Sequence, residues 1–562
     1  MTRSRTGSTA GILITMVLIA GLVGLGIWML WRDAPAPVAA PVATTTTPAD
    51  EGSPTKPEGT APAPIEPAMG APRLAAVAPY QPRNGVVSID ISEYAGYAGL
   101  VVANGGLKPN PDSFFAKEYG FQLELTKGED ENWDDVNNGR IGGCATTTDV
   151  LAIMGRQFEV VVPAQIAYSR GSDMIVVDRG IGSINQLAGR RVAASQFNES
   201  EFFLRYLAQE AGLKVRILRD LDAKPAADEI GLVFYADAFL ACDAYAFELA
   251  GARRLAGAVG WSPRTDEVVA ASNGAAKVLV SNRNLLVVAD VLVLNKGFAT
   301  AHPQMVKGLV HGLLHGNQLV RENPEPHLAV LKAAFGWSAE DARAELKKVH
   351  LSNLPENQAF LGGAIDAAGS FAGIYQQAVM AYGSALIPNP ADADRFAAPV
   401  HLAALATENR FPGQVVAIAP IRTSSRGALE GEALLSKDIR FFFEPNSATL
   451  DANNTANPGF LDTIHRYLQV SPGSVVVLNG HVDDKLKEQF RKDGGEALVR
   501  SMALKAVALS KERAQSVRAA LLARHPGLDG TRVEAIGRGW EQPVGTDGDL
   551  NRRVEVKWYT VE

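Results

Sequence analysis

An aspartate and an arginine near the C-terminus are placed to hold a zwitterionic group. Asp483 follows a predicted strand, and Arg513 lies on the helix predicted after it. A carboxylate can bind an ammonium group, and a planar guanidinium can bind a carboxylate through two parallel hydrogen bonds. Together they suit the free end of an amino acid. The structural alternative is that Asp483 caps a helix while Arg513 forms a surface ion pair.

A second group of side chains, in the middle of the chain, could form a ligand site. Three successive threonines stand where a predicted strand passes into a helix, so their hydroxyl and amide groups could converge on an anionic group. Two tyrosines after the first predicted strand could form the opposite wall, and an aspartate could meet a cationic group. The alternative for each is a cap, a core edge or a turn. These residues are Tyr94, Tyr97, Thr146, Thr147, Thr148 and Asp243.

Both groups depend on strands and helices that the apolar pattern predicts. From Val86 onward, short strand-like runs alternate with helical ones, which is typical of an α/β fold. We expect strands at Val86–Ile91, Arg191–Ser195 and Lys214–Leu218, and an amphipathic helix from His302 to Arg321 that begins at Pro303. After Asp438 the predicted order is βαβαββ, an α+β arrangement that begins with a strand from Asp438 to Leu450.

Four short motifs near the C-terminus resemble the signature of OmpA-like peptidoglycan-binding domains. They are Gly480-His481-Val482-Asp483, Leu509-Ser510-Lys511-Glu512-Arg513-Ala514, Gly537-Arg538-Gly539-Trp540-Glu541-Gln542-Pro543 and Asn551-Arg552-Arg553-Val554. The ordered set is far more specific than any one motif. The resemblance implies that Asp483 takes the ammonium, and Arg513 the carboxylate, of diaminopimelate in the peptide stem.

The chain departs from that signature in two places. Ala506 stands where the family usually has an asparagine, three residues before the Leu509-Ser510 pair. The segment between Asp483 and Leu509 is also longer than the pattern expects and is strongly charged from Lys485 to Lys492. We therefore expect the fold to be kept, while the departures bear on ligand affinity.

The region from Val86 to Phe335 resembles the periplasmic solute-binding proteins of ABC importers, of the nitrate, sulfonate and taurine type. The resemblance implies two α/β lobes that close like a hinge on a ligand cleft. The segments that carry it are Tyr94-Ala95-Gly96-Tyr97, Gly143 to Asp149, Ser183 to Ala193, Asp243 to Glu248 and Val291 to Lys296.

Composition and the remaining motifs exclude several classes of function. The net charge is −7, with 61 acidic and 54 basic residues, and no dense basic stripe occurs, so we expect no nucleic-acid partner. No nucleophile motif, glycine-rich phosphate loop or metal-ligand spacing is found. We therefore expect no enzyme activity, cofactor or metal. Whether Cys144 and Cys242 pair is left open, because sequence spacing does not give distance.

The N-terminus predicts a membrane anchor. Gly11 to Trp31 is an uncharged apolar run of about the length of a bilayer-spanning helix, and Arg3 and Arg5 precede it. The rival interpretation is a cleaved signal peptide. The Pro-, Ala- and Thr-rich stretch that follows predicts a semi-extended tether.

The sequence thus predicts a single-pass inner-membrane protein with its bulk in the periplasm. It would bind peptidoglycan and a small solute, with an anionic group as one candidate, for ABC-type uptake or sensing with a permease. The alternative is a MotB-like tethering protein whose middle domain binds a protein. The predicted segments are a cytoplasmic N-terminus (1–10), a transmembrane anchor (11–31), a linker (33–84), a two-lobed domain (85–385), a connector (386–437) and an OmpA-like domain (438–562).

Overall fold

A computed structural model describes most of the chain from residue 60 onward. The predicted cytoplasmic segment, the anchor and much of the linker lie outside the described residues. Among the residues that are described, no helix combines the length and apolar character needed to cross a membrane. The described ranges are 60–128, 132–363, 369–418, 433–444, 447–471, 473–546 and 548–560.

Sixteen strands are assigned within these ranges and form three sheets. They are β1 Val86–Ile91, β2 Gln122–Lys127, β3 Gly143–Thr147, β4 Val160–Ser169, β5 Asp173–Asp178, β6 Arg191–Ser195, β7 Lys214–Leu218, β8 Glu229–Tyr235, β9 Gly257–Trp261, β10 Ala276–Ser281, β11 Ala289–Asn295, β12 Val349–Leu351, β13 Leu435–Ile439, β14 Val475–Gly480, β15 Val533–Gly537 and β16 Val554–Tyr559.

The helices pack on both faces of the first two sheets and on the third. They are α1 Ala98–Asn104, α2 Phe114–Tyr119, α3 Trp133–Asn137, α4 Thr148–Met154, α5 Glu199–Glu210, α6 Ala238–Leu249, α7 Arg264–Ala271, α8 Lys296–Ala301, α9 Pro303–Glu322, α10 Leu328–Phe335, α11 Ala339–Leu346, α12 Leu354–Leu361, α13 Phe371–Leu386, α14 Val400–Thr407, α15 Ala456–Val470, α16 Lys487–Arg524 and α17 Gly548–Asn551.

The first lobe is built on a six-stranded sheet of order β12-β4-β11-β3-β1-β2. Strand β1 runs parallel to β2 and β3, whereas β11 runs antiparallel to β3 and β4. Helix α9 begins at Pro303, as predicted, because proline at the first helical position loses no hydrogen bond. It crosses α1 so closely that a Cβ on Gly316 would lie 1.9 Å from the Gly99 carbonyl oxygen. Only glycine permits this crossing.

The second lobe is built on a six-stranded sheet of order β10-β5-β9-β6-β8-β7. The predicted strands at Arg191–Ser195 and Lys214–Leu218 are confirmed. Strand β8 is buried from Ile230 to Tyr235, because helices cover both faces of a mostly parallel sheet. The chain enters this lobe between β4 and β5 and leaves it between β10 and β11. Two short segments therefore carry the chain between the lobes, while α13 packs against α4 of the first lobe and α5 of the second. The predicted two-lobed α/β fold is confirmed.

The C-terminal domain has a four-stranded sheet of order β13-β16-β14-β15. Strand β14 pairs parallel with β15 and antiparallel with β16. The predicted βαβαββ order is confirmed. Helix α16 is interrupted at Gly494 and Gly495, where the backbone leaves the helical region, so two helical segments meet at a kink.

The predicted strand from Asp438 to Leu450 is wrong beyond Ile439, where β13 ends. The backbone N–H of Phe442 donates to the side-chain oxygen of Asn457 (3.0 Å), and the amide of Asn457 donates to the Phe442 carbonyl (2.9 Å). A side chain on α15 thus takes the Phe442 N–H that a neighbouring strand would otherwise pair. Beyond it, Phe443 and Leu450 form an isolated bridge, and the Asp451 amide donates to the Phe442 carbonyl (2.9 Å).

The C-terminal domain packs against the second lobe through hydrogen bonds to the backbone of the segment 434–436. The Ile184 amide donates to the Leu434 carbonyl (2.9 Å). The side-chain amide of Asn185 donates to the Ser436 carbonyl (3.0 Å), and its oxygen accepts from the Ser436 N–H (2.9 Å). Asn185 therefore satisfies both backbone groups of one residue, and the lobe pairs with the segment that leads into the third sheet.

An ion pair is buried in the same interface. Arg466 on α15 donates to the Glu210 carboxylate at the end of α5 (2.7 Å), and the neighbouring Tyr467 hydroxyl donates to the Glu210 carbonyl (2.9 Å). The Glu210 side chain is 2% exposed and that of Arg466 is 27% exposed. The Leu286 amide also donates to the Val470 carbonyl (2.7 Å). The two domains therefore share a desolvated contact and a continuous apolar core.

Replacing Arg466 by leucine is expected to destabilise this interface by about 3 kcal/mol, because the Glu210 carboxylate would remain buried without its counter-charge. Scanning calorimetry of the purified protein should show a lower Tm. Arg524→Leu is the matched control, because it removes an exposed pair with Asp462 that contributes at most about 1 kcal/mol. A second replacement, Glu210→Leu, should restore most of the loss. Equal effects of Arg466→Leu and Arg524→Leu would show that Glu210 is not desolvated in solution.

Candidate functional site

A cleft lies between the two lobes, beside the segments that join them. Its inner part is a small cavity of about 20 Å³ lined by residues of both lobes, and an adjoining cavity of about 260 Å³ lies mainly along the first lobe. Most of the lining residues stand at the carboxyl ends of parallel strands, where open α/β sheets place ligands. The residues that line both cavities are Ser92, Tyr97, Thr147, Glu199 and Trp261.

Two buried aspartates face the inner cavity. Asp173 begins β5 and accepts a hydrogen bond from the Asn282 amide (2.8 Å). Asp290, near the start of β11, accepts from the Tyr97 hydroxyl (3.2 Å). Burial raises the pKa of Asp173 to about 6, although hydrogen bonds from Ser169 and Asn282 oppose the shift. Burial and the nearby Asp173 carboxylate raise the pKa of Asp290 well above its usual value.

Aromatic side chains form the walls around these carboxylates. The rings of Tyr94 and Tyr97 meet edge to face, with centroids 5.2 Å apart. Burial, followed by the charge of Asp290, raises the pKa of both tyrosine hydroxyls well above the usual value, so both remain protonated donors. Trp261, at the end of β9, supplies an aromatic surface from the second lobe.

The three predicted threonines have different positions. Thr146 lines the outer cavity and Thr147 lines both. The Thr147 hydroxyl donates to the Glu199 carboxylate on the second lobe (3.4 Å), so it bridges the lobes across the cleft. The Thr148 hydroxyl instead donates to the Ala289 carbonyl (3.2 Å) and ties α4 to β11. Only two of the three threonines therefore face the cleft.

Asp243 lies on α6 and pairs with Arg264 (2.8 Å); it is not among the described residues that line the cleft. Cys144 is in the first lobe and lines the outer cavity, whereas Cys242 is buried in the second lobe. The two cysteines do not form a disulfide with each other. Among the described residues, no group of three His, Cys, Asp or Glu side chains is arranged to hold a metal ion.

The structure brings Asp483 and Arg513 into one site and adds a third residue. Arg552 donates to one oxygen of Asp483 (2.7 Å). Arg513 donates through Nε to the Ser447 carbonyl (3.2 Å), and its guanidinium lies over the Phe443 ring, 5.1 Å from the centroid. Within the described part of the chain, neither terminal nitrogen of Arg513 donates a hydrogen bond. Burial and the nearby Arg552 lower the pKa of Arg513, and the Asp483 carboxylate opposes this shift.

The other motif residues hold this site in place. The Ser510 hydroxyl accepts from the Gly539 N–H (3.0 Å) and donates to the Val507 carbonyl (2.9 Å), which joins α16 to the loop after β15. Asn551 accepts from the Val544 N–H (2.8 Å) and donates to the Gly545 carbonyl (2.9 Å), which closes the following loop. These contacts explain why the motif residues occur together.

Sequence reasoning missed several residues of both sites. Arg552 stands beside Arg553 in a motif that was recognised, but Arg553 turns to Asp438 (2.9 Å) while Arg552 turns to Asp483. The sequence alone does not show which arginine faces the site. Asp173, Asp290 and Trp261 carry no motif, and only strand pairing brings them together. Their one signal is position, since each is the first, second or last residue of a strand.

Gly480 is expected to tolerate no side chain. A Cβ at this position would lie 2.0 Å from the Ser510 carbonyl oxygen, so Gly480→Ala should force β14 and α16 apart and cost roughly 3 kcal/mol. Gly459→Ala is the control, because nothing lies within 4 Å of its Cβ and alanine favours the exposed helix by about 0.5–1 kcal/mol. Thermal unfolding should therefore show opposite shifts in Tm. Equal shifts would contradict the close approach.

Asp149, fully buried at the start of α4, should make stability depend on pH. Burial raises its pKa to about 7, against a hydrogen bond from Thr147. The folded carboxyl keeps its proton where the unfolded one has lost it, so its stabilising contribution falls as pH rises from about 4 to 7. Between pH 5 and pH 8, Asp149→Asn should therefore gain stability relative to wild type, on the order of 3 kcal/mol. Denaturant unfolding at both pH values measures this. The matched change Asp243→Asn, in a partly exposed ion pair, should show no such gain, and an equal gain would contradict the assignment.

Several solved structures are similar to this chain at low identity. The ligand-binding component of an ABC-type import system from Staphylococcus aureus is 15% identical over 57% of this chain and 98% of that chain, with a TM-score of 0.42. The periplasmic aliphatic sulphonate-binding protein SsuA from Escherichia coli is 17% identical over 56% and 92%, with a TM-score of 0.40. The periplasmic nitrate-binding protein NrtA from Synechocystis PCC 6803 is 13% identical over 59% and 90%, with a TM-score of 0.44.

No curated protein sequence matches the chain. A family model does match the C-terminal part of the chain, and the matched region includes Asp483, Arg513 and Arg552. Residues 442–557 match the OmpA family, and the chain therefore carries an OmpA-type domain at this position.

Proposed function

We propose that this protein binds peptidoglycan through its C-terminal domain and a small solute through the cleft of its two-lobed domain. The observation that carries the proposal is the arrangement of Asp483, Arg513 and Arg552 within a domain that matches the OmpA family. A carboxylate and an under-used guanidinium lie side by side at a partly exposed surface. This pairing fits a ligand that carries both charges on one carbon.

The zwitterionic end of a diaminopimelate stem has that chemistry. Its carboxylate would accept two hydrogen bonds from the terminal nitrogens of Arg513, whose orientation is fixed by Phe443 and the Ser447 carbonyl. Its ammonium would donate to Asp483. The Arg552 guanidinium holds one oxygen of Asp483 at 2.7 Å and keeps the carboxylate directed toward the site. Three charged side chains therefore define both the position and the orientation of the ligand.

Solute binding is supported by the cleft between the lobes. It is lined by hydroxyl, carboxylate and aromatic side chains from both lobes, which is how protein sites surround small polar molecules. Two short segments carry the chain between the lobes, and a hinge at these segments would let the lobes close on a ligand with α13 in contact with both. The Thr147–Glu199 hydrogen bond across the cleft is the kind of contact that such closure forms or breaks.

Anchoring in the inner membrane is part of the same proposal. Its support is the apolar run from Gly11 to Trp31 with Arg3 and Arg5 before it. An anchor at one end and a wall-binding domain at the other would hold the cleft in the periplasm between membrane and wall. An ABC-type permease is the proposed recipient of the solute.

The MotB-like alternative assigns a protein partner to the middle domain. A protein surface site is broad and exposed, whereas most of the polar groups of this cleft are buried in a concave, partly open cavity. The geometry therefore favours a small molecule, and the alternative is not supported by a separate observation.

Co-sedimentation of the purified protein with diaminopimelate-containing sacculi tests wall binding. Wild type should sediment with the sacculi, and Asp483→Ala or Arg513→Ala should weaken the apparent affinity by at least about tenfold, because each removes a charge-assisted hydrogen bond worth roughly 1.5–3 kcal/mol. Arg513→Lys should also fail, since an ammonium cannot form the two parallel bonds. Free diaminopimelate should compete.

Two controls separate recognition from general charge attraction. Arg524→Ala removes a positive charge from the far end of the same helix and should leave sedimentation unchanged. Sacculi with lysine in place of diaminopimelate lack the carboxylate that Arg513 would bind, and they should bind weakly. Undiminished sedimentation of the Asp483 and Arg513 variants would refute the proposed site.

A further inference from the structure

We propose that the solute of the cleft is a small organic cation with N–H donors, such as a protonated amine or amidine. This inference rests on the proposed solute-binding function and specifies the chemical class of the ligand. It is opposite in charge to the anionic group that the three threonines suggested from sequence. The argument depends on the charge, the hydrogen-bonding state and the shape of the cavity lining.

The charged residues that line the cleft all have the same sign. Asp173, Glu199 and Asp290 line the inner cavity, and Asp90 lines the outer one. Among the described lining residues there is no lysine, arginine or histidine. An anion in this cavity would meet several carboxylates and no basic side chain among the described lining residues, at a cost that the low dielectric of a buried site increases. A cation would meet favourable charges from both lobes.

Four buried polar atoms of the inner cavity make no hydrogen bond of normal geometry with the described residues. They are Oδ2 of Asp290, the hydroxyls of Tyr94 and Ser169, and Nε1 of Trp261. Buried polar atoms are nearly always hydrogen-bonded, so each of these calls for an explanation. The Tyr94 hydroxyl is close enough to lower the pKa of Asp290, and a protonated nitrogen of the ligand would give the Asp290 oxygen a donor of better geometry.

The aromatic walls fit the same class of ligand. Tyr94 and Tyr97 contribute from the first lobe and Trp261 from the second, around the inner cavity. The faces of aromatic rings attract cations when they lie within about 6 Å. The carboxylates would accept hydrogen bonds from the ligand, and the ring faces would attract its positive charge. Together they favour an organic cation over a neutral solute of the same size.

The groups that face the two aspartates make cation binding compete with protons. They are Tyr94 and Tyr97 after β1, Asp149 on α4 and Glu199 at the start of α5, whereas Glu201 on the same helix lies near Asp149 and is paired with Arg205. Because the pKa of Asp173 is raised to about 6, part of this cluster is protonated at acidic pH. A bound cation would replace that proton. Cation affinity should therefore weaken as the pH falls from 7 to 5.

Isothermal titration calorimetry of the full-length protein tests the inference, with benzamidine and putrescine as cationic probes and with nitrate and ethanesulfonate as anionic ones. The cations should bind at pH 7.5 and bind more weakly at pH 5.5. The affinity should fall by up to about tenfold for each pH unit below the pKa of the carboxyl that takes up the proton. The anions should not bind. Asp290→Asn and Glu199→Gln should each weaken cation binding at least about tenfold, while Asp243→Asn, outside the cleft, should leave it unchanged.

Glu199→Gln is informative if Asp290→Asn unfolds, because Glu199 is only partly buried whereas Asp290 is fully buried. Binding of the anions without the cations would overturn the inference and leave the solute-binding function standing. If no probe binds, the cation inference fails. Native mass spectrometry of protein isolated from cells would then separate the two proposals. A co-purified molecule that is not a cation would support the solute-binding function without the cation inference, and an empty cleft would contradict both.

Discussion

An ionised carboxylate loses its hydration when it is buried, and this protein buries several where its folding units meet. Each junction compensates the cost in a different way. Between the second lobe and the C-terminal domain, Arg466 neutralises Glu210. Within the C-terminal domain, Arg552 pairs with the partly exposed Asp483. Between the lobes, Asp173 and Asp290 receive hydrogen bonds from Asn282 and Tyr97 but no counter-charge among the described lining residues.

The presence or absence of a counter-charge distinguishes the structural junctions from the proposed ligand site. A paired carboxylate is satisfied within the protein, so the Glu210 contact fixes how the second lobe and the C-terminal domain pack. An unpaired buried carboxylate must hold a proton or await a cation. The raised pKa values of Asp149, Asp173 and Asp290 have that cause, namely burial without compensating charge. A ligand bound in the inter-lobe cleft, as proposed, would therefore change stability together with protonation.

One helix connects the cleft with the C-terminal domain. Glu199, the first residue of α5, lines both cavities and accepts from Thr147, while Glu210, its last residue, pairs with Arg466. Twelve residues of α-helix span about 17 Å. The second lobe thus presents one end of a rigid element to the ligand site and the other to the domain that matches the OmpA family.

The sequence by itself determined the secondary structure wherever local pattern suffices. Apolar runs located β1, β6 and β7, Pro303 located the start of α9, and the ordered glycine, serine and arginine motifs located the C-terminal fold and the Asp483–Arg513 pair. The tertiary structure alone decided the rest. Asn457 ended the strand predicted from Asp438 to Leu450, Arg552 rather than Arg553 joined Asp483, and Asp173 met Asp290 across more than a hundred residues of chain. Local propensity depends on neighbours in sequence, whereas burial, charge pairing and cavity shape depend on neighbours in space, which strand order and domain packing supply.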